Sequence, residues 1–360
     1  PHDWQIRHAD DLYRDGTLFY RKYFFVTDVP GTRRMLWFGG AYMDTTVFVN
    51  GTEVGQWKYG YTSFWFDITD ALHEGQNEVL VRCNLRHPNS RWYSGAGLYR
   101  NVELWEAPDL HLMPDGLYVA AKEGDNGAWT VAVTAEAGSV TAASTGRTLT
   151  LHLTDDNGSL LGTAAIPADA WTALPSPDGW RTGKETAIYK ASHTFTLQDP
   201  ALWDLDAPSF YHITAELTGA DGVTDTLTTR FGCRTIEATP DCGLLVNHKR
   251  VLIKGVCIHH DFGCLGSAFE YSAAKRQLEI LKSMGVNSIR TGHTPPAPQF
   301  MDLADEMGIL MDVESFDCWR SGKNPYDYGR FFDEWQEKDV AAWIDAPRLI
   351  GTALYLALGW

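Results

Sequence analysis

Residues 278–296 read LEILKSMGVNSIRTGHTPP, and the period of their apolar residues changes partway along. The run SAAKRQLEILKSMG (272–285) sets Leu278, Leu281 and Met284 at helical spacing on one face, with Ser272 placed to cap its start and Gly285 to stop its end. VNSIR (286–290) then reads as a short strand. A helix handed directly to a strand is the repeating unit of a parallel sheet, and the surrounding sequence repeats it. RVLIKGV (250–256) reads as a buried strand ahead of the helix. PAPQFMDLADEMG (296–308) reads as a second helix, opened by Pro298, with Phe300, Leu303, Ala304 and Met307 inward and Gly308 at its end. ILMDVE (309–314) is a third strand, FFDEWQEKDVAAWI (331–344) a third helix, and ALYLALGW (353–360) has the composition of a fourth strand. Short links between these elements predict a parallel α/β sheet.

Upstream of this segment the period is two. In TTVFVNGTEVGQW (45–57), Thr46, Phe48 and Asn50 alternate with Val47 and Val49, and Asn50-Gly51 supplies the positive φ angles of a tight hairpin. YTSFWFDIT (61–69), NEVLVRCNL (77–85) and GLYRNVELW (97–105) continue in the same style and predict an antiparallel sandwich. The proline-punctuated EAPDLHLMP (106–114) connects it to a second β unit, richer in Ala, Thr, Gly and Ser, whose strand spacing is immunoglobulin-like. TIEATPDCG (235–243) closes that unit. The expected domains are therefore 1–108, 109–238 and 239–360. Asn50-Gly51-Thr52 and Asn157-Gly158-Ser159 have the form of glycosylation sequons, but turn chemistry between strands accounts for both.

A chain of 360 residues, 44% hydrophobic and 21% charged, is long enough for two or three cores. No apolar run approaches the roughly eighteen residues of a membrane span, so no membrane partner is expected. The net charge of −16 and pI near 5.1 repel phosphates, which excludes nucleic acid as a partner and favours a neutral ligand. Fourteen Trp, 15 Tyr and 16 Phe supply flat faces for sugar C–H groups as well as bulk for sandwich cores. Six cysteines without a C-x-x-C pair are expected to be mostly buried thiols. The chain opens on Pro1 without a charged-then-apolar leader, so any targeting segment is removed or not included, and the compartment stays unknown.

In a parallel β/α layout, reactive groups gather where the strands end. CIHHDFG (257–263) offers Cys257, His259, His260 and Asp261; RTGHTPP (290–296) offers Arg290 and His293; DVESFDCW (312–319) offers Asp312, Glu314, Asp317 and Trp319. Histidine, carboxylate and thiolate are metal ligands, yet neighbouring His259 and His260 on an extended chain point apart, which favours hydrogen bonding. A structural reading of His293 is a loop imidazole bonded to backbone beside Pro295 and Pro296. Glu314 closes an apolar strand, where a carboxylate must be paired or used; an ion pair with Arg290 is the structural alternative to a functional role.

Taken in order, PHDW, FYRKYFFV, VFVNGTEVG, GYTSFWFDIT, SRWYSGAGLYRNVEL, KGVCIHHD, LEILKSMGVNSIRTGHTPP and MDLADEMGILMDVESFD resemble glycoside hydrolase family 2, most of all its β-galactosidase-like members. The resemblance implies a jelly-roll sugar-binding domain, an immunoglobulin-like sandwich and the first part of a TIM (β/α)8 barrel. It also implies a retaining β-glycosidase acting on a β-linked oligosaccharide or glycoside, with two glutamates about 5 Å apart as nucleophile and acid/base. In the family the acid/base follows the fourth barrel strand in a run like W-S-I-G-N-E. Aligned with it, Gly359 falls on the glycine and Trp360 on the asparagine, so neither catalytic glutamate is expected among these 360 residues. DAPRLIG (345–351) departs from the family's R-D-R-N-H-P. The substrate-facing set carried over is His259, His260, Asp261, Arg290, His293, Glu314, Asp317 and Trp319, with Arg91 and Trp92 reaching in from the first domain. Cys257-Ile258, Gly292 and Thr294 depart from the family pattern. Cys318 and Arg320 fall near the positions where some relatives bind magnesium, so no metal and no cofactor is inferred. A non-catalytic carbohydrate-binding remnant is the alternative, as is β-glucuronidase or β-mannosidase specificity. A partial barrel exposes sheet edges, which predicts association as a homo-oligomer or with a complementing C-terminal segment.

Overall fold

The computed structural model describes residues 1–8, 10–27, 31–140, 146–174, 185, 187–220, 222, 224–344 and 353–357. Asp345 to Gly351, Gly359 and Trp360, on which part of the family alignment rests, lie outside the described residues.

The first β unit stacks a four-stranded sheet (Gly16–Val26, Gly75–Leu85, Thr45–Val49, Thr52–Trp57) on a three-stranded one (Phe64–Asp67, Thr32–Phe38, Val102–Pro108), all pairings antiparallel. The Asn50-Gly51 hairpin forms as the sequence requires, with φ of 50° and 80°, the left-handed values of a two-residue turn. Val47 and Val49 turn into the core, and Phe48 turns outward. The second unit pairs two four-stranded antiparallel sheets. Leu149, Leu151 and Leu153 from one sheet and Val131, Val133 and Ala135 from the other fill its core, each buried Leu contributing roughly 1.5–3 kcal/mol. Asn157-Gly158 lies in a turn bound by the Asp155 carboxylate, which accepts from the backbone N–H of Asn157 and Ser159.

Beyond a small sheet at Ile236–Thr239, Gly243–Val246 and Lys249–Arg250, four parallel strands follow in sequence order: Gly255–Ile258, Ser288–Thr291, Leu310–Glu314 and Ala353–Ala357. The helices Tyr271–Ser283, Pro298–Glu306 and Phe332–Ile344 intervene. The fourth strand lies where the composition of 353–360 places it, with Ala357 opposite Glu314. Four expectations need correction. The first strand begins at Gly255 rather than Arg250, because Lys249–Arg250 is drawn into the small hairpin and Leu252 is left 72% exposed. Ser272 does not cap its helix; Glu270 occupies that position, and Ser272 donates to the Glu270 side chain instead. Met284 lies past the helix end, where Gly285 turns the chain, and is exposed. Only Cys83, Cys233 and Cys318 are buried, whereas Cys242, Cys257 and Cys264 sit in exposed turns and strand ends. Among the described residues no helix is long and apolar enough to cross a membrane.

The first sandwich packs directly on the parallel sheet, and this contact positions the site. Phe316, Tyr328, Phe332 and Trp335 from the α/β segment join the same apolar core as Tyr59, Tyr61 and Phe64. Buried polar groups cross the same boundary. Arg100 donates to the carbonyl of Pro295 at 2.8 Å, Tyr59 to that of Ser315 at 2.5 Å, and Asp3 accepts from the N–H of Ser267 at 2.8 Å. Gly95 is needed at this seam: its φ is +67°, and a Cβ there would lie 1.8 Å from the Ser267 hydroxyl.

Candidate functional site

Strand pairing places Cys257, Arg290 and Asp312 in one row across the first three parallel strands. Alternation along a strand puts Glu314, two residues beyond Asp312, on the same face. Ile289 and Val313 on the other face are buried under the helices with Leu278, Phe300 and Leu303. Charge therefore collects on one side of the sheet, at the strand ends.

Glu314 is the centre of that charge. One carboxylate oxygen accepts from Arg290 Nη2 at 2.5 Å and Nε at 3.1 Å, and the other accepts from His293 Nδ1 at 2.9 Å. The ion pair foreseen as the structural reading of Glu314 exists, and it also fixes His293, leaving Nε2 as the atom available to a ligand. His259 is oriented likewise: Nδ1 donates to the carbonyl of Gly292 at 2.6 Å. Trp92, from the first sandwich, lies parallel to the His259 ring at 5.2 Å with planes 7° apart, and its centroid is 5.3 Å from that of His293. Trp92, His259, Arg290, His293 and Glu314 thus form one contiguous cluster of contacts at the strand ends.

The other candidates have different surroundings. His260 turns the opposite way from His259, donates to the carbonyl of Ser94 at 2.8 Å and packs edge-on against Tyr61. Burial pushes its pKa down to about 4, so it is a neutral imidazole at neutral pH, and it lines a small pocket together with His259. Asp261 is exposed. Asp317 is held by Arg91 at 2.5 Å and Lys323 at 2.8 Å. Burial disfavours its charge, but those bonds outweigh burial and keep its carboxyl below the usual range. Trp319 packs against Phe316 and Phe332. Arg91 reaches Asp317, not the cluster, and so clamps the loop that carries Trp92.

Two more of the strand-end candidates, Asp312 and Cys257, flank this cluster, although the family resemblance does not carry them over. Asp312 has one carboxylate oxygen buried without a partner, and burial, reinforced by the Glu314 charge, raises its pKa. Cys257 sits 3.5 Å from Arg290 Nη1. Among the described residues no cluster of three or more His, Cys, Asp or Glu has the geometry to hold a metal ion.

Imidazoles, a guanidinium and an indole thus cluster at the strand ends of a parallel β/α sheet that follows two antiparallel β units. The chain belongs to glycosyl hydrolase family 2: the family model for its TIM barrel domain matches residues 238–337, and the model described as "Glycosyl hydrolases family 2" matches residues 115–234. Beta-galactosidase BoGH2A of Bacteroides ovatus is 35% identical over 94% of this chain and 40% of its own length. A putative beta-glucuronidase of Formosa agariphila is 32% identical over 97% of this chain and 33% of its own. The crystal structure of a family 2 member from Bacteroides cellulosilyticus superposes with a TM-score of 0.86 at 29% identity, covering 98% of this chain and 46% of that one. The chain thus spans less than half the length of each of these three relatives.

Proposed function

We propose that residues 1–360 form the sugar-holding wall of a retaining β-glycosidase that prefers a terminal, neutral β-linked sugar, most simply a β-galactoside. In this reading the β units, 1–108 and 109–238, are the jelly-roll and immunoglobulin-like parts that carry the barrel begun at 239. The observation that carries the reading is the contact cluster of Trp92, His259, His293, Arg290 and Glu314 at the strand ends. An indole face suits the C–H side of a pyranose, and ring nitrogens suit its hydroxyls. Both glutamates that perform the chemistry are proposed to lie outside these residues. Glu314 is read as a positioning group, since its carboxylate accepts from Arg290 and His293 and fixes both side chains.

Relatives named as glucuronidases raise the question of an acidic sugar. A uronate needs an unspent cation, and the guanidiniums in and beside the cluster are committed, Arg290 to Glu314 and Arg91 to Asp317. That favours the neutral substrate. The test compares the 360-residue chain with the full-length gene product on aryl β-galactoside, β-glucoside, β-mannoside and β-glucuronide. The expected outcome is β-galactoside turnover by the full-length protein only; ordinary turnover by the shorter chain, or glucuronide preference by the longer one, contradicts the reading. Glycan binding without turnover by the full-length protein would favour the carbohydrate-binding alternative.

A further inference from the structure

A cleft of about 260 Å3 lies where the strands Thr32–Phe38 and Val102–Pro108 of the first sandwich meet Leu112–Asp115 and the strand Thr224–Phe231 of the second. None of the residues of the strand-end cluster lines it. One wall is a pair of indoles: Trp37 is buried, and half-buried Trp105 lies on it with ring centroids 5.6 Å apart and planes 15° apart. Trp105 Nε1 donates to the Glu103 carboxylate at 3.0 Å. The outer ring is thus backed by its neighbour and pinned at its edge before any ligand arrives. With its N–H spent, it offers a π face.

The polar groups around it point to the class of ligand. Every charged side chain lining the cleft is a carboxylate: Glu103, Glu106, Asp115 and Asp225. Asp225 is held in place by the backbone N–H of Leu112 at 2.7 Å and of Thr226 at 2.9 Å, and Glu106 is paired with Arg34 at 2.6 Å. Carboxylates accept and do not donate, so the occupant must bring donors and no negative charge. Glu106 is neutralised by Arg34, while Glu103 and Asp225 keep their charge but are held as fixed acceptors by the Trp105 indole and by backbone N–H groups, so a cationic ligand is the competitor the test must exclude. An apolar ring face beside fixed acceptors matches a pyranose, whose C–H side stacks on an indole while its hydroxyls donate outward. We propose that this cleft is a second carbohydrate-binding site, taking a neutral oligosaccharide segment with one ring on Trp105 and hydroxyls on Glu103 and Asp225. Its role would be to hold a polymeric substrate away from the barrel. The proposal stands independently of what the strand-end cluster does.

The experiment titrates the 360-residue chain with neutral tetrasaccharides (β-1,4-galactotetraose, cellotetraose and xylotetraose), with tetragalacturonate and with chitosan tetramer, read by calorimetry and tryptophan fluorescence. At least one neutral tetrasaccharide should bind, with a change in indole emission, and tetragalacturonate should not. Trp105→Ala should weaken binding about tenfold, the loss of one stacking contact, and by the same factor in a Trp92→Ala background. Trp105→Phe keeps a ring in place and guards against a folding defect in the alanine variant: it should retain binding but lose most of the emission change. The proposal is overturned if no neutral tetrasaccharide binds, if chitosan tetramer binds more tightly, if Trp92→Ala rather than Trp105→Ala removes binding, or if the emission change survives Trp105→Phe. Because Trp92→Ala is scored separately for aryl glycoside turnover in the full-length protein, failure here and failure of the glycosidase reading are told apart.

Discussion

Trp92 and His259 lie face to face across the boundary between the first sandwich and the parallel sheet, 5.2 Å apart and within 7° of parallel. The two residues are 167 positions apart in sequence, and the stack exists because the loop before Tyr99 is clamped to the barrel at Ser94, Gly95 and Arg100. Part of the cluster is therefore built by a different unit from the one that carries the strand-end residues.

Replacing Trp92 with Ala should remove that part while leaving the fold intact. An aromatic pair contributes about 0.5–1.5 kcal/mol beyond its burial, so the chain should melt only slightly earlier. In the full-length protein, kcat/KM for an aryl β-galactoside should fall about 10–100-fold, with Trp92→Phe recovering part of the loss. Steady-state kinetics beside a thermal melt checks both, and unchanged kinetics would remove Trp92 from the site.

Glu314→Gln should be costlier to stability, since it leaves the half-buried Arg290 guanidinium beside a neutral amide and one donor short of a charged acceptor. Removing one member of a buried pair costs about 3–5 kcal/mol, and the partial exposure of Arg290 reduces this to about 1–3 kcal/mol. Arg290→Gln combined with Glu314→Gln should cost less than the sum of the two single changes. Urea denaturation of the four proteins in the cycle measures the coupling.

Arg91→Ala should behave otherwise. Its guanidinium is half exposed, and Lys323 still holds Asp317 when Arg91 is gone, so the stability change should stay under about 1 kcal/mol and shrink in salt. If Arg91 positions the Trp92 loop, KM should rise modestly with kcat retained, and Arg91→Lys should restore it in part. A large fall in kcat would instead place Arg91 against the substrate.

The pattern of these residues shows what could be read without coordinates. Asn50-Gly51 between alternating valines and the strand at Ala353–Ala357 were legible because each depends on local spacing and turn chemistry. The pairing of Glu314 with Arg290 was legible because a carboxylate closing an apolar strand must find a partner. The fates of His259 and His260 were less so. Alternation predicts that they diverge, but only the docked sandwich, through Trp92 and Ser94, determines that the first stacks on an indole and the half-buried second bonds across the seam. The start of the first strand was misplaced for a similar reason: Lys249 and Arg250 pair with Val246 and Leu245, a local hairpin that competes with the parallel sheet.

The same boundary contains a group that makes stability depend on pH. Asp339, on the third helix, is fully buried and accepts from Thr62 of the first sandwich at 3.1 Å and from the hydroxyl of Tyr328, beside Trp57 and near Lys338. Burial raises its pKa from 3.8 to about 7 despite those bonds. Between these values the folded chain keeps a proton that the unfolded chain has lost, so stability is greatest near pH 4 from this group. It falls as pH rises to about 7 and is level above that. Asp339→Asn, neutral at every pH, should remove that slope. Relative to the parent it should gain stability on the order of 4 kcal/mol at pH 8 and only about 1 kcal/mol at pH 4.5. Denaturant unfolding of both proteins at those two pH values decides the matter: equal differences at the two pH values would mean that Asp339 is ionised throughout and that its bonds to Thr62 and Tyr328 compensate fully for its burial.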